Sequence, residues 1–78
     1  MPRIQAIVAH DRSVVVAALR RINRRGDFGR APRWAQETVT MGDYASFGPP
    51  IAGVSEYNCY RLTERGIAYL AEATRQGL

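Results

Sequence analysis

Only 20 residues of this 78-residue chain are large hydrophobes, counting Ile, Leu, Val, Met, Phe and Trp, and that shortage limits what the chain can build. Another 11 residues are Ala, so a core can close, but a thin one. The expectation is a single domain over residues 1–78, marginal by itself and able to bury further surface in a homodimer or against another protein. The one cysteine, Cys59, has no intramolecular disulfide partner, and Cys59 with His10 falls short of the four ligands of a structural zinc. No run of 18 apolar residues is present, nor an N-terminal basic segment leading into a long apolar stretch and a small-residue cleavage site. A soluble, cytoplasmic protein without a membrane span is the expectation that follows.

Charge narrows the class of partner. The net charge is +4 and the isoelectric point is near 10.0, which points to phosphates, acidic proteins or anionic lipid. Residues 1–40 carry eight Arg against Asp11, Asp27 and Glu37, a balance of +5, while residues 41–78 carry three Arg against Asp43, Glu56, Glu64 and Glu72, a balance of −1. Arg20, Arg21, Arg24, Arg25, Arg30 and Arg33 fall within fourteen residues and meet one opposing charge, Asp27. All 11 basic residues are Arg and none is Lys, as in proteins from GC-rich genomes, so one reading of the cluster is an ordinary solvated face. The functional reading rests on geometry: a guanidinium presents a planar fork that meets two phosphate oxygens at once, which an ammonium cannot do.

Periodicity places the elements. Ile4, Ile7 and Val8 fit a short helix after Pro2, while Ile4, Ala6 and Val8 also alternate as a strand would. His10-Asp11 interrupts that pattern, with Asp11 or Ser13 able to cap a new helix. Over residues 13–25, Val15, Ala18, Leu19 and Ile22 share one helical stripe, Arg20, Arg21 and Arg24 take the opposite side, and Gly26 offers a stop. The run Val14-Val15-Val16 would also suit a buried strand, and Arg24 and Arg25 complement a helix dipole whatever else they do. Residues 26–33 read as a loop, after which Pro32 can open a short helix with Trp34, Thr38 and Met41 on one side. An extended reading of residues 37–41 fits Thr38-Val39-Thr40 nearly as well. Gly48-Pro49-Pro50 excludes regular structure throughout residues 42–53, where Tyr44 and Phe47 are expected to anchor in the core.

Alternation returns over residues 54–62 and predicts a strand, with Tyr57, Cys59 and Arg61 on one face and Asn58, Tyr60 and Leu62 on the other. Of Tyr57 and Tyr60, one is then core and one exposed. Thr63 stands where an N-cap belongs, Glu64 puts negative charge in the first turn, and Leu62 with Ile67 brackets the cap as a hydrophobic staple. The helix that follows is expected to bury Ile67, Leu70 and Ala71, with Tyr69 and Ala73 beside them, and to end at Gly77. The stretch Tyr60-Arg61-Leu62-Thr63-Glu64-Arg65-Gly66, continuing into Ile67-Ala68-Tyr69-Leu70, resembles the passage from the last wing strand into the next helix of winged-helix transcriptional regulators of the MarR and PadR type, over residues 57–71. The resemblance implies an α+β, winged-helix-like domain of about three helices with a β-hairpin, its wing tip at residues 47–55 and its return strand at 54–62. It also implies that Thr63 caps the helix, that Gly66 permits close approach to neighbouring backbone, and that the protein is a dimeric DNA-binding regulator. Such a domain places two helices between the first helix and the wing, the second in the major groove. Residues 32–47 are too few for both, and no base-reading residue carries over.

The expected site is thus a phosphate-binding surface of Arg20, Arg21, Arg24, Arg25, Arg30 and Arg33, with Trp34 either stacking on a base or sugar or anchoring the core. The expected partner is nucleic acid, DNA before RNA. The alternative is a small phage-type or mobile-element interaction module that inhibits a larger nucleic-acid machine, as anti-CRISPR proteins do; its positive charge speaks against mimicry of DNA. Binding to a membrane surface through the 13–25 helix ranks last, because that helix lacks Trp and Phe anchors. Catalysis is not expected. His10-Asp11 lacks the other ligands of a metal-dependent phosphohydrolase, Gly26, Gly29, Gly48 and Gly53 follow no phosphate-loop spacing, and no nucleophile–base pair is organised. No cofactor or metal is expected, and Cys59 is read as a small buried residue.

Overall fold

The computed structural model describes residues 9–78, with side chains from residue 11 onward. The expectations for Ile4, Ala6, Ile7 and Val8, and for the His10 side chain, lie outside the described residues. Helix α1 (Ala9–Arg25) is the element against which the others pack. It is already helical at Ala9 and runs through Asp11 and Ser13, so neither caps a new helix, contrary to the sequence expectation. Val15, Ala18, Leu19 and Ile22 are buried along one stripe as the periodicity requires, and Val16 is buried beside them. The valine run costs helix propensity, up to about 0.7 kcal/mol per residue, but burying a valine side chain returns roughly 1.5–3 kcal/mol, so tertiary packing decides. Gly26, at φ +80°, closes the helix by donating its N–H to the Ile22 carbonyl at 2.8 Å.

Helix α2 (Arg33–Met41) follows the loop, with Pro32 as its N-cap. It buries Ala35 and Val39 against the core, so the expected stripe of Trp34, Thr38 and Met41 is wrong at its end: Met41 is 82% exposed. The extended alternative for residues 37–41 is not what forms: the helix runs to Met41 and buries Ala35 and Val39, and the Thr38 and Thr40 hydroxyls donate to the Trp34 and Gln36 carbonyls at 2.8 and 2.9 Å.

A two-stranded antiparallel hairpin comes next, β1 (Ala45–Phe47) with β2 (Tyr60–Leu62), in the register Ala45↔Leu62, Ser46↔Arg61, Phe47↔Tyr60. The return strand is much shorter than residues 54–62. Pro49 and Pro50 have no N–H to give a ladder, so the opposing chain finds no partner and residues Glu56–Asn58 wind into one 3-10 turn, begun by Ser55. Tyr60 packs on the core and Tyr57 is exposed, the division expected of that pair. Cys59 is fully buried, its thiol donating to the Ser55 carbonyl at 3.4 Å.

Helix α3 (Glu64–Arg75) starts at the cap that the sequence places there. The Thr63 hydroxyl accepts from the Gly66 N–H at 3.1 Å and donates to the Asp43 carbonyl at 2.5 Å. Gly66 lies flush against the Tyr44 carbonyl, leaving no room for a Cβ, and the Thr63 N–H donates to that same oxygen at 3.1 Å. This contact rotates the helix. Its inner stripe is Gly66, Tyr69, Leu70 and Ala73, so Leu70, Tyr69 and Ala73 face inward as expected, while Ile67 is 57% exposed and Ala71 is exposed, and the expected staple of Leu62 with Ile67 is not formed. Phe47 is 63% exposed, not an anchor, whereas Tyr44 packs against the core with its ring 5.0 Å from that of Tyr69. Among the described residues the fold is α+β, three helices and one two-stranded sheet around Val15, Ala18, Leu19, Ile22, Phe28, Val39 and Ala45.

Candidate nucleic-acid interface

Ten arginines are described, and the fold divides them into those it uses and those it presents. Arg20 is used: its guanidinium donates to the Leu78 carbonyl and lies 3.4 Å from the Thr74 hydroxyl, fastening the end of α3 to α1. Arg12 does the same, donating to the Gln76 side-chain oxygen at 2.6 Å with the Tyr69 ring 6.0 Å away. Arg65 lies 5.0 Å from the centre of the Tyr44 ring, and Arg75 pairs with Glu72 on its own helix.

Arg21 is also engaged. Its Nε donates to Asp27 Oδ1 at 2.7 Å, and the same oxygen accepts the Gly29 N–H at 3.0 Å, pinning the loop that leaves α1. The Arg21 hydrogen bond holds the Asp27 carboxyl below its ordinary 3.8, against a smaller opposing effect of desolvation; the charge of Arg21, the Gly29 N–H and the charge of Arg25 add to the lowering. Arg21 is correspondingly raised. The one acid within the basic cluster is therefore already matched.

Arg24, Arg25, Arg30 and Arg33 remain. The first three are exposed and have no side-chain hydrogen bond or ion pair among the described residues. Arg33 is 91% exposed and only 3.6 Å from Glu37, an i,i+4 contact that water screens heavily. They occupy the last turn of α1, the following loop and the first residue of α2. The loop is held in place by buried Phe28, by the Ala31 N–H bond to the Phe28 carbonyl at 3.1 Å and by the Tyr60 N–H bond to the Gly26 carbonyl at 2.7 Å. The four cations are thus carried on fixed backbone.

The structure adds Arg61, which the sequence reading left in the wing strand. Arg61 is exposed on β2 and, with Asn23 and Arg25, lines a groove of about 330 Å³ floored by Ile22, Ile51 and Leu62. Its signal in the sequence was its alternation with Tyr60 and Leu62, which turns it outward. A second groove, of about 380 Å³, runs between α1 and residues 28–32, with Arg21 and Arg30 beside Val14, Ala17 and Phe28. Trp34 is half-buried and packs against the core. Among the described residues no three His, Cys, Asp or Glu gather to hold a metal ion, and no helix is long and apolar enough to cross a membrane. Comparison with models of known protein families, with curated proteins and with solved structures gave no match.

Proposed function

We propose that this chain is a small nucleic-acid-binding protein of winged-helix-like build, DNA before RNA, that grips backbone phosphates at the C-terminal end of α1. The observation that carries the reading is the group Arg24, Arg25, Arg30 and Arg33: four guanidiniums on fixed backbone, none committed to a buried or well-formed internal pair. Their forks suit phosphate oxygens, and contact with a sugar–phosphate backbone needs no base-reading helix. The order α2, β1, β2, α3, a helix leading into a hairpin and then a capped helix, supports the build, with one helix in place of two between α1 and the hairpin. Arg20 and Arg21, assigned to phosphate by the sequence alone, act in this reading as struts for α3 and for the loop.

The test is fluorescence anisotropy of labelled DNA across a salt series. Four phosphates neutralised on a duplex give a slope of log K against log salt of about −3.6, or roughly a 150-fold loss between 50 and 200 mM. On a single strand the slope is about −2.8. Absence of binding at low salt, or affinity indifferent to salt, refutes the reading.

A second reading, a protein-interaction module, draws on the exposed apolar residues Met41, Phe47, Tyr57 and Ile67. Its signature is a complex of fixed stoichiometry with one protein that survives nuclease treatment.

A further inference from the structure

Pro50 lines both the basic groove of Arg25 and Arg61 and a second groove of about 320 Å³, whose other lining residues are Phe47, Gly48, Glu56 and Tyr57. Two aromatic rings border that second groove and both are mostly exposed, Phe47 at 63% and Tyr57 at 69%. A lone exposed ring needs no explanation, but two on one groove next to two exposed guanidiniums form a surface of definite chemistry. The Phe47 ring is held in place: it stacks on Tyr60 at 5.4 Å and 23°, and Tyr60 in turn meets Phe28 edge-on at 4.7 Å. One face of Phe47 is therefore covered by a ring tied to the core, and the rest of it stays open.

We infer that the groove between Phe47 and Tyr57 seats one unstacked nucleobase while the adjoining phosphate lies between Arg25 and Arg61, so that this protein prefers single-stranded nucleic acid to a duplex. The inference rests on the phosphate-binding reading above and names its substrate class. Stacking on aromatic rings tolerates any base, because every base has a π-face, and a neighbouring cationic groove follows the strand. Glu56 fits a base and not a phosphate: its carboxylate repels an anion and accepts a hydrogen bond from a base N–H donor. A paired, stacked base could not reach the groove.

Helix α2 argues the same way. Nine residues span about 13 Å, and its exposed side chains are Arg33, Glu37, Thr40 and Met41. The Thr40 hydroxyl is committed to the Gln36 carbonyl, and Glu37 opposes phosphate. That face offers little to the edges of base pairs in a major groove.

The experiment compares a labelled, non-self-complementary 12-nucleotide DNA strand with its 12-base-pair duplex, by anisotropy, for the full chain and for Phe47→Ala, Tyr57→Ala and Tyr57→Phe. The strand is expected to bind the unaltered chain at least tenfold more tightly than the duplex. Each alanine variant is expected to lose about 5- to 150-fold for the strand, the factor that one stacked base contributes, and nothing for the duplex; Tyr57→Phe keeps the ring and the affinity. Both aromatic positions are largely exposed, so the variants keep the fold, which circular dichroism checks. Equal affinity for strand and duplex overturns the inference, and so do alanine variants that bind the strand as the unaltered chain does. In either of those cases steep salt dependence would leave the phosphate-binding reading standing. No binding to either DNA removes both.

Discussion

Replacing Gly66 with Ala tests the junction on which the hairpin and α3 are assembled. By helix propensity alone the change stabilises α3, since Ala exceeds Gly by about 1 kcal/mol in a helix. The packing opposes this. A Cβ at residue 66 would run into the Tyr44 carbonyl oxygen and stand 2.9 Å from its carbon and 3.3 Å from its Cα, all backbone atoms that cannot rotate away. The carbonyl is also fixed by the Thr63 N–H, so relief requires moving the start of α3 off the strand. That movement loses the Thr63–Tyr44 bond and strains the Thr63 cap, each worth about 1 kcal/mol, and adds an overpacking cost of about 1–3 kcal/mol. After the helix gain is subtracted, a net loss of about 2–4 kcal/mol remains, which lowers the melting temperature of a domain this size by about 10–25 °C. Gly53→Ala is the internal control: nothing lies within 4 Å of its added Cβ, but its φ of +80° makes the change cost about 1–2 kcal/mol through the backbone alone. Urea titration followed by circular dichroism measures both. If Gly66→Ala proves as stable as the unaltered chain, or more stable than Gly53→Ala, the close contact with Tyr44 is not what fixes α3.

Thr63→Ala removes both the bond to the Gly66 N–H and the bond to the Asp43 carbonyl, and is expected to lower stability by about 1–2 kcal/mol in the same titration. Arg20→Ala cuts the ties to Thr74 and Leu78 and is expected to cost about 1 kcal/mol while leaving DNA affinity within about twofold; Arg24→Ala is expected to flatten the salt slope by about 0.9 on a duplex and to cost less stability, no more than the about 0.3–1 kcal/mol of a cation in the last turn of α1. The folded Asp27 carboxyl is held below its ordinary 3.8, so its contribution is fully present above that value and is lost as pH falls through the folded value. Urea midpoints measured from about pH 7 down to about pH 2 are expected to fall less steeply below about pH 4 in Asp27→Asn than in the unaltered chain. Identical acid limbs would show that the Arg21 pair does not contribute.

Local signals made some of this molecule legible in its sequence and non-local ones hid the rest. The stripe of Val15, Ala18, Leu19 and Ile22, the stop at Gly26 and the cap at Thr63 each depend on residues within one or two turns, and each is present. The phase of α3 depends instead on Tyr44, twenty-two residues upstream, whose carbonyl selects Gly66 as the innermost position and turns Ile67 outward. Phe47 failed as an anchor for a related reason: Gly48-Pro49-Pro50 ends the ladder directly after it, so no longer sheet continues the core in that direction. The candidate site follows the same rule. Charge counting found the cluster, but it could not see that Arg20 reaches residues 74 and 78 or that Arg21 takes Asp27. Three-dimensional pairing subtracts those two cations from the surface and contributes Arg61, carried beside Arg25 by the hairpin. A guanidinium tied to a carbonyl or a carboxylate must break that bond to meet a phosphate, whereas an exposed one gives up only water. The cations left unmatched by the fold are for that reason the ones on which the proposed binding of an anionic polymer would depend, and Arg20 against Arg24 is the pair that separates the two kinds.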